Sequence, residues 1–211
     1  MRTNLMIRCG HDFFVRALVV VWAVGVGVGF YAWERYDRTP GPGVETAGVP
    51  VAPVASAEPF TIELFAHPRC PCTRASLMVL AEVLAAAPGI ADVRVVFVRP
   101  AGTPAGWERT DLWDAAVCLP GARVSCDAEG EVARRAGAVT SGQVNVYDRG
   151  GRVVFSGGIT AARGRAGDSP GRREVVRALA GLEPTLSSAP VFGCPLIGPA
   201  GCSVGPPGVC E

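Results

Sequence analysis

The run Phe60-Thr61-Ile62-Glu63-Leu64-Phe65-Ala66-His67-Pro68-Arg69-Cys70-Pro71-Cys72-Thr73-Arg74-Ala75-Ser76-Leu77 holds a strand, a turn and the start of a helix. From Phe60 to Ala66 apolar and polar side chains alternate, the period of a half-buried strand. After Cys72, Leu77, Leu80, Ala81 and Leu84 recur at helical spacing, and Pro88-Gly89 stops the helix. Cys70 and Cys72 therefore fall at a helix start, separated only by Pro71. Thiols there feel unpaired backbone amides and the positive end of the helix dipole. Both favour the thiolate, the form that attacks disulfides and binds soft metals, and can lower a cysteine pKa from about 8.5 to roughly 3.5–7.5.

Working outward from that run, the chain has 211 residues and a net charge of +1. Its 20 basic residues are all arginine, and no long basic run occurs, which argues against a nucleic-acid partner. Residues 13–33 are apolar apart from Arg16, and the uninterrupted part, Ala17 to Trp33, reaches the lower length limit for a bilayer span. Arg2, Arg8 and Arg16 precede the apolar core, while the charges of residues 34–38 cancel, so the N-terminus is expected in the cytoplasm. Tyr31 and Trp33 suit the far interface. The expectation is a single-pass signal-anchor in the cell inner membrane with the C-terminal domain in the periplasm. A cleaved signal peptide is the rival, since Ala55-Ser56-Ala57 resembles a cleavage site, but that site lies far beyond the apolar core. Of eight cysteines only Cys9 would then be cytoplasmic. An odd number would face an oxidising compartment, so at least one is free, metal-bound or paired with another molecule.

The expected organisation is a cytoplasmic N-terminus (1–12), a transmembrane anchor (13–33), a Pro/Gly-rich linker (34–58), a folded domain (59–183) and a Cys/Gly/Pro-rich tail (184–211). Within the domain, Val93 to Val98 is a second strand. Asp111 to Val117 is a short helix, Ala122 to Ser125 a short strand, and Asp127 caps a helix through Ala136. Val144 to Asp148 and Arg152 to Ser156 form a hairpin, and a last helix covers Arg172 to Leu182. Phe192-Gly193-Cys194-Pro195-Leu196, beyond the last helix, is a segment suited to folding back onto the domain. Cys118 and Cys126 bracket the short strand and are candidates for a stabilising bridge.

This order, β-α-β followed by ββα with paired thiols after the first strand, resembles the thioredoxin-like superfamily over roughly residues 59 to 183. The resemblance implies an α/β thioredoxin-like fold, a central mixed sheet flanked by helices, behind one N-terminal transmembrane helix. The helix-start cysteines, Gly157-Gly158-Ile159-Thr160 and Gly193-Cys194-Pro195-Leu196 are also similar to a RedB-type membrane-anchored group. Family members place an attacking cysteine at the start of the first helix and a resolving one within the next turn. Pro71 suits the first helical position, which makes Cys70 the cap-like attacker and Cys72 the resolving partner. Two departures matter. A single proline separates the thiols where the family has two residues; aligning Pro71-Cys72 with the family's Pro-Cys instead puts Arg69 in the attacker's place. The family's cis-proline, which precedes a strand and faces the thiols, falls on Gly142.

The resemblance implies a membrane-anchored thiol–disulfide oxidoreductase with catalytic Cys70 and Cys72, needing no cofactor and acting on protein thiols or disulfides in the periplasm. Arg69, Gly142, Arg163 and Arg165 are the candidate substrate-binding residues, the last two on a long loop before the final helix that also holds Asp168. One alternative is a Cu(I)-binding or copper-delivery protein using Cys70, Cys72 and His67 as soft ligands. Others are a peroxide-reducing thiol enzyme and a non-catalytic interaction domain stapled by its cysteines. No glycine-rich phosphate loop follows a strand, so nothing points to a nucleotide cofactor.

Overall fold

The structure is a computed structural model that describes residues 3–42 and 59–197, without the side chains of 3–12. The chain divides into two compact units, residues 1–38 and 39–211. The first is one helix, α1 (Thr3–Asp37), and its stretch Phe13–Asp37 is long and apolar enough to cross a membrane. Helix continues through Glu34 to Asp37, residues the sequence pattern assigns to the linker. Residues 43–58, the rest of that linker, and Cys202 and Cys210 lie outside the described residues.

In the second unit a six-stranded mixed sheet runs in the order β3-β2-β1-β4-β5-β6. Strand β1 (Phe60–Ala66) pairs parallel with β2 (Ala91–Arg99), and β2 parallel with β3 (Ala122–Ala128). On its other edge β1 runs antiparallel to β4 (Gln143–Asp148), and β4 antiparallel to β5 (Val153–Gly158). Helix α2 (Pro71–Ala86) makes the β1–β2 crossover, and α5 (Pro170–Leu179) follows the hairpin. A central strand flanked by one parallel and one antiparallel neighbour needs that α2 crossover and a tight β4–β5 turn. Asp148 Oδ1 fixes the turn by accepting from the amides of Gly150 and Arg152.

Ile62, Leu64 and Ala66 of β1 face a core shared with Leu77, Leu80 and Leu84 of α2, Trp113 of α3 (Asp111–Val117) and Val175 of α5. The opposite face carries a smaller core of Phe65, Val96, Val98, Ala133, Ala136, Ala138 and Leu196. Beside it lies a buried polar stripe. Glu63 accepts from Tyr147 Oη at 3.3 Å, and Asn145 Nδ2 donates to the Ala136 carbonyl at 2.9 Å. Hence β1 is buried on both faces rather than half-buried, as its alternation suggests: its polar residues are satisfied inside the protein. Burial pushes the Glu63 carboxyl up from its ordinary value and the Tyr147 hydroxyl up likewise.

The boundaries of α4 and α5 differ from the sequence pattern, each for a local reason. Asp127 remains in β3, opposite Val98, and Glu129 and Gly130 both adopt positive φ, which no helix tolerates. Helix α4 is therefore short (Glu131–Arg135), although the Asp127 carboxylate still caps it by accepting from Val132 and Ala133. Helix α5 starts two residues before Arg172, because Ser169 Oγ accepts from the Arg172 amide at 3.1 Å and Pro170 takes the first turn. It ends at Leu179, ahead of the left-handed Gly181. Strand β6 (Ser188–Ala189) has no counterpart in the pattern. It pairs with β5 at Ser156 and Gly157, where a Cβ on Gly157 would come within 2.5 Å of the Ala189 backbone.

Candidate functional site

Cys70 occupies the N-cap of α2 with extended backbone (φ −89°, ψ 116°), followed by Pro71 in the first turn. Proline restricts the residue before it to extended conformations and is itself preset for a helix start. The chain therefore places Cys70 and Cys72 on either side of the boundary. Cys70 is fully buried and Cys72 is 7% exposed. The turn into the helix is tied by Cys70 N donating to His67 O and Thr73 N donating to Cys70 O.

A third sulfur completes the group. Cys194, on the segment after β6, hydrogen-bonds to Cys70, as does Cys72. Two S–H donors converging on one acceptor, Cys194 first and Cys72 second, hold the Cys70 thiol far below its ordinary pKa against the opposing effect of burial. The donors are pushed the other way: both are raised by their hydrogen bonds to Cys70, then by burial. The shifts favour the thiolate at Cys70 and the protonated thiol at Cys72 and Cys194.

The loop before β4 holds this cluster. Ser141 Oγ accepts from His67 N at 2.8 Å and lies 2.8 Å from Thr73 Oγ1, which in turn donates to His67 O at 3.2 Å. With the threonine proton committed to that carbonyl, the serine hydroxyl donates to Thr73, and the ring of bonds clamps the thiol turn to Ser141. Gly142, the next residue, has φ +92° and donates its amide to Phe65 O at 2.8 Å. Proline is locked near φ −65° and lacks that donor, so this backbone excludes it. The side chain missing at Gly142 leaves room for Ser76 Oγ, which would lie 2.7 Å from a Cβ there.

The remaining candidates separate into three groups. Arg163 reaches the cluster: its guanidinium donates to Gly193 O at 2.8 Å and Thr39 O at 3.1 Å, and its charge favours the thiolate forms of Cys72 and Cys194. On the same loop the Gly164 amide donates to Cys72. Arg165 lies at the exposed end of that turn with its amide on Ala162 O, and Asp168 pairs with Arg173 of α5. Arg69 points outward, its guanidinium 4.7 Å from the centre of the Trp107 ring. With Cys70, Arg74, Thr110 and Asp111 it lines a cleft of about 260 Å³, whose wall is braced by Thr110 Oγ1 donating to Pro68 O. His67 packs edge-on against Trp107 at 5.5 Å, and its Nδ1 accepts from Arg69 N. Burial lowers its pKa, so the ring is neutral at neutral pH. Among the described residues no group of three or more His, Cys, Asp or Glu side chains is arranged to hold a metal ion. Cys118 and Cys126 are free and exposed, not bridged.

Sequence reasoning misses Ser141, Thr73, Trp107 and the part played by Cys194. Ser141 adjoins the singled-out Gly142, and Cys194 sits in an apolar pentapeptide suited to packing. Neither signal says which sulfur it would meet.

Among solved structures the chain is similar to a hypothetical protein of Sinorhizobium meliloti 1021, with TM-score 0.55 and 23% identity over 66% of this chain and 79% of that one. An uncharacterized conserved protein of Geobacillus kaustophilus gives TM-score 0.55 and 15% identity over 72% of this chain and 94% of that one. An exposed lipoprotein thioredoxin of Streptococcus pneumoniae gives TM-score 0.42 and 17% identity over 58% and 84%. The topology decides the fold: β1-α2-β2, a β4-β5 hairpin, α5, and thiols at the start of α2.

The fold is thioredoxin-like.

No protein-family model matches the sequence, and no curated protein does. Within the thioredoxin-like frame three features set the chain apart. These are the single residue between Cys70 and Cys72, the left-handed Gly142, and the docked segment carrying Cys194.

Proposed function

We propose that this chain is a membrane-anchored thiol–disulfide oxidoreductase whose domain acts in the periplasm on protein thiols or disulfides, with Cys70 as the attacking group. The observation that carries this reading is the buried Cys70 sulfur at the N-cap of α2, with Cys72 and Cys194 beside it, whose interaction lowers the Cys70 pKa. A thiolate poised beside protonated thiols is what exchange needs: one nucleophile, and neighbours able to supply a proton to a leaving sulfur and then attack in turn. Arg69 over Trp107 and the cleft beside Cys70 supply a surface for a partner's chain, rimmed by Arg74 and Asp111. The apolar stretch of α1 and the arginines before it support an anchor with the domain outside.

The test uses the full-length chain in detergent. Wild type and Cys70→Ser are compared in their exchange with a peptide closed by one disulfide, and Cu(I) binding is titrated in the same samples. Loss of exchange in the variant is expected. Exchange that survives the substitution refutes the assignment, and stoichiometric Cu(I) uptake without exchange favours copper delivery instead. A reporter fused after Glu211 reads the topology: activity in the cytoplasm would overturn the periplasmic placement.

A further inference from the structure

The segment Val191 to Leu196 is built into the site rather than hanging from it. Ser141 N donates to Cys194 O at 2.8 Å, Leu196 N donates to Val139 O at 2.9 Å, and Thr140 bridges antiparallel to Pro195. The segment thus adds a short strand to the loop that clamps the thiol turn, using backbone groups a free edge would offer to another chain. Leu196, 1% exposed, anchors one end in the smaller core. At the other end Gly193 passes so close to the Ser141 carbonyl oxygen that any Cβ would collide with it, and Arg163 holds the Gly193 carbonyl. Between these fixed points Cys194 sits against the loop that clamps the Cys70 turn, and its side chain interacts with Cys70.

Resting on the oxidoreductase reading, we propose that Cys194 is a third redox cysteine, which resolves the mixed disulfide formed at Cys70 and closes a Cys70–Cys194 bond. In the first step the Cys70 thiolate attacks a partner's disulfide. A bond forms between Cys70 Sγ and one partner sulfur, the partner's S–S bond breaks, and the second partner sulfur leaves and takes the proton of Cys194. In the second step the Cys194 thiolate attacks Cys70 Sγ. The Cys70–Cys194 bond forms, the bond to the partner breaks, and the first partner sulfur departs as a thiolate protonated from solvent. The partner disulfide gains two electrons and becomes two thiols, and this chain loses the same two. The reverse sequence oxidises a partner dithiol.

Cys194 is better placed for this than Cys72 because of what separates each from Cys70. Only Pro71 lies between Cys70 and Cys72, with its ring fixing one backbone dihedral and Cys72 already held in the helix. A bond across that interval must fit disulfide geometry into a tight loop with little freedom. Cys194 approaches from an independent strand. Cys72, with its proton directed at Cys70 and the Gly164 amide on its sulfur, acts in this scheme as the donor that favours the Cys70 thiolate.

The experiment exposes full-length variants in detergent to a biotinylated peptide closed by one disulfide and counts covalent adducts on non-reducing gels. A docked thiol competes at a high effective concentration. Cys72→Ser should therefore accumulate little adduct, and the Cys72→Ser/Cys194→Ser double variant at least about tenfold more. The double variant's adduct should vanish when Cys70→Ser is added. Gly193→Val in the Cys72→Ser background, which undocks the segment but keeps the thiol, should trap as the double variant does. Peptide mapping of the oxidised wild type should recover Cys70 linked to Cys194. If Cys72→Ser alone traps as much as the double variant, Cys194 is not the resolving group while Cys70 still attacks. If the double variant traps nothing, Cys70 is not the nucleophile and the oxidoreductase reading fails with the inference.

Discussion

Replacing Gly142 with proline, the residue the family resemblance leads one to expect at this place, should damage this protein rather than restore a missing feature. The native φ of +92° has to move by far more than a proline ring tolerates, and the Gly142 amide loses its 2.8 Å bond to Phe65 O inside the sheet. An orphaned buried carbonyl costs about 1–3 kcal/mol. Forcing the backbone out of its native basin adds roughly as much again, since Ser141, the preceding residue, clamps the thiol turn. A total near 4 kcal/mol, with a urea slope of about 2 kcal/mol per molar, lowers the unfolding midpoint by about 2 M. Gly142→Ala keeps the amide, and the Ser76 hydroxyl in its way can rotate, so only positive-φ strain of about 1–3 kcal/mol applies. The assay is urea unfolding of the full reduced chain in detergent, read by circular dichroism. A proline variant as stable as the alanine variant would refute the reasoning. It would mean that the loop reorganises around proline without losing the Phe65 bond or the serine clamp.

Two further outcomes follow from the charges at the site. In the unfolded chain all three site thiols titrate near pH 8.5, whereas in the folded reduced state Cys70 is depressed and Cys72 and Cys194 are raised. Below pH ~8.5 the unfolded chain holds one proton more at these sites, so stability rises with pH by up to about 1.4 kcal/mol per unit; above it the folded chain holds more and stability falls. Urea midpoints of the reduced chain should therefore peak near pH ~8.5, and Cys70→Ser, which removes the shared acceptor, should flatten the profile; an unchanged profile would show that the thiols are not coupled. Arg163→Ala should raise the pH at which Cys72 alkylates and hasten proteolysis after β6, because the loop loses its bonds to Gly193 O and Thr39 O. Arg163→Lys should rescue only in part, since one ammonium lacks the planar fork that spans both carbonyls, and full rescue would reduce the role of Arg163 to charge alone.

The fold and the placement of the first two thiols were legible in the chain because both rest on local rules. The apolar period of Phe60 to Ala66, the helical spacing of Leu77, Leu80 and Leu84, and the preset φ of Pro71 act over a few residues. Those rules suffice to order β1, α2 and the hairpin and to put Cys70 at a helix cap. The helix start was also enough to expect a reactive thiol. Three things depended on contacts between segments far apart in sequence. The polar residues of β1 are buried because Tyr147 and Arg94 from neighbouring strands satisfy Glu63, which no alternation pattern encodes. Arg163 is fixed beside the thiols by the Gly193 and Thr39 carbonyls, both far from it in the chain, whereas Arg165 on the same loop is exposed. Cys194 meets Cys70 because Leu196 finds the second core and Gly193 slips past the Ser141 carbonyl, closing a long chain interval that local propensity does not register. The strand-and-helix grammar was written in the residues; the third sulfur came with the packing.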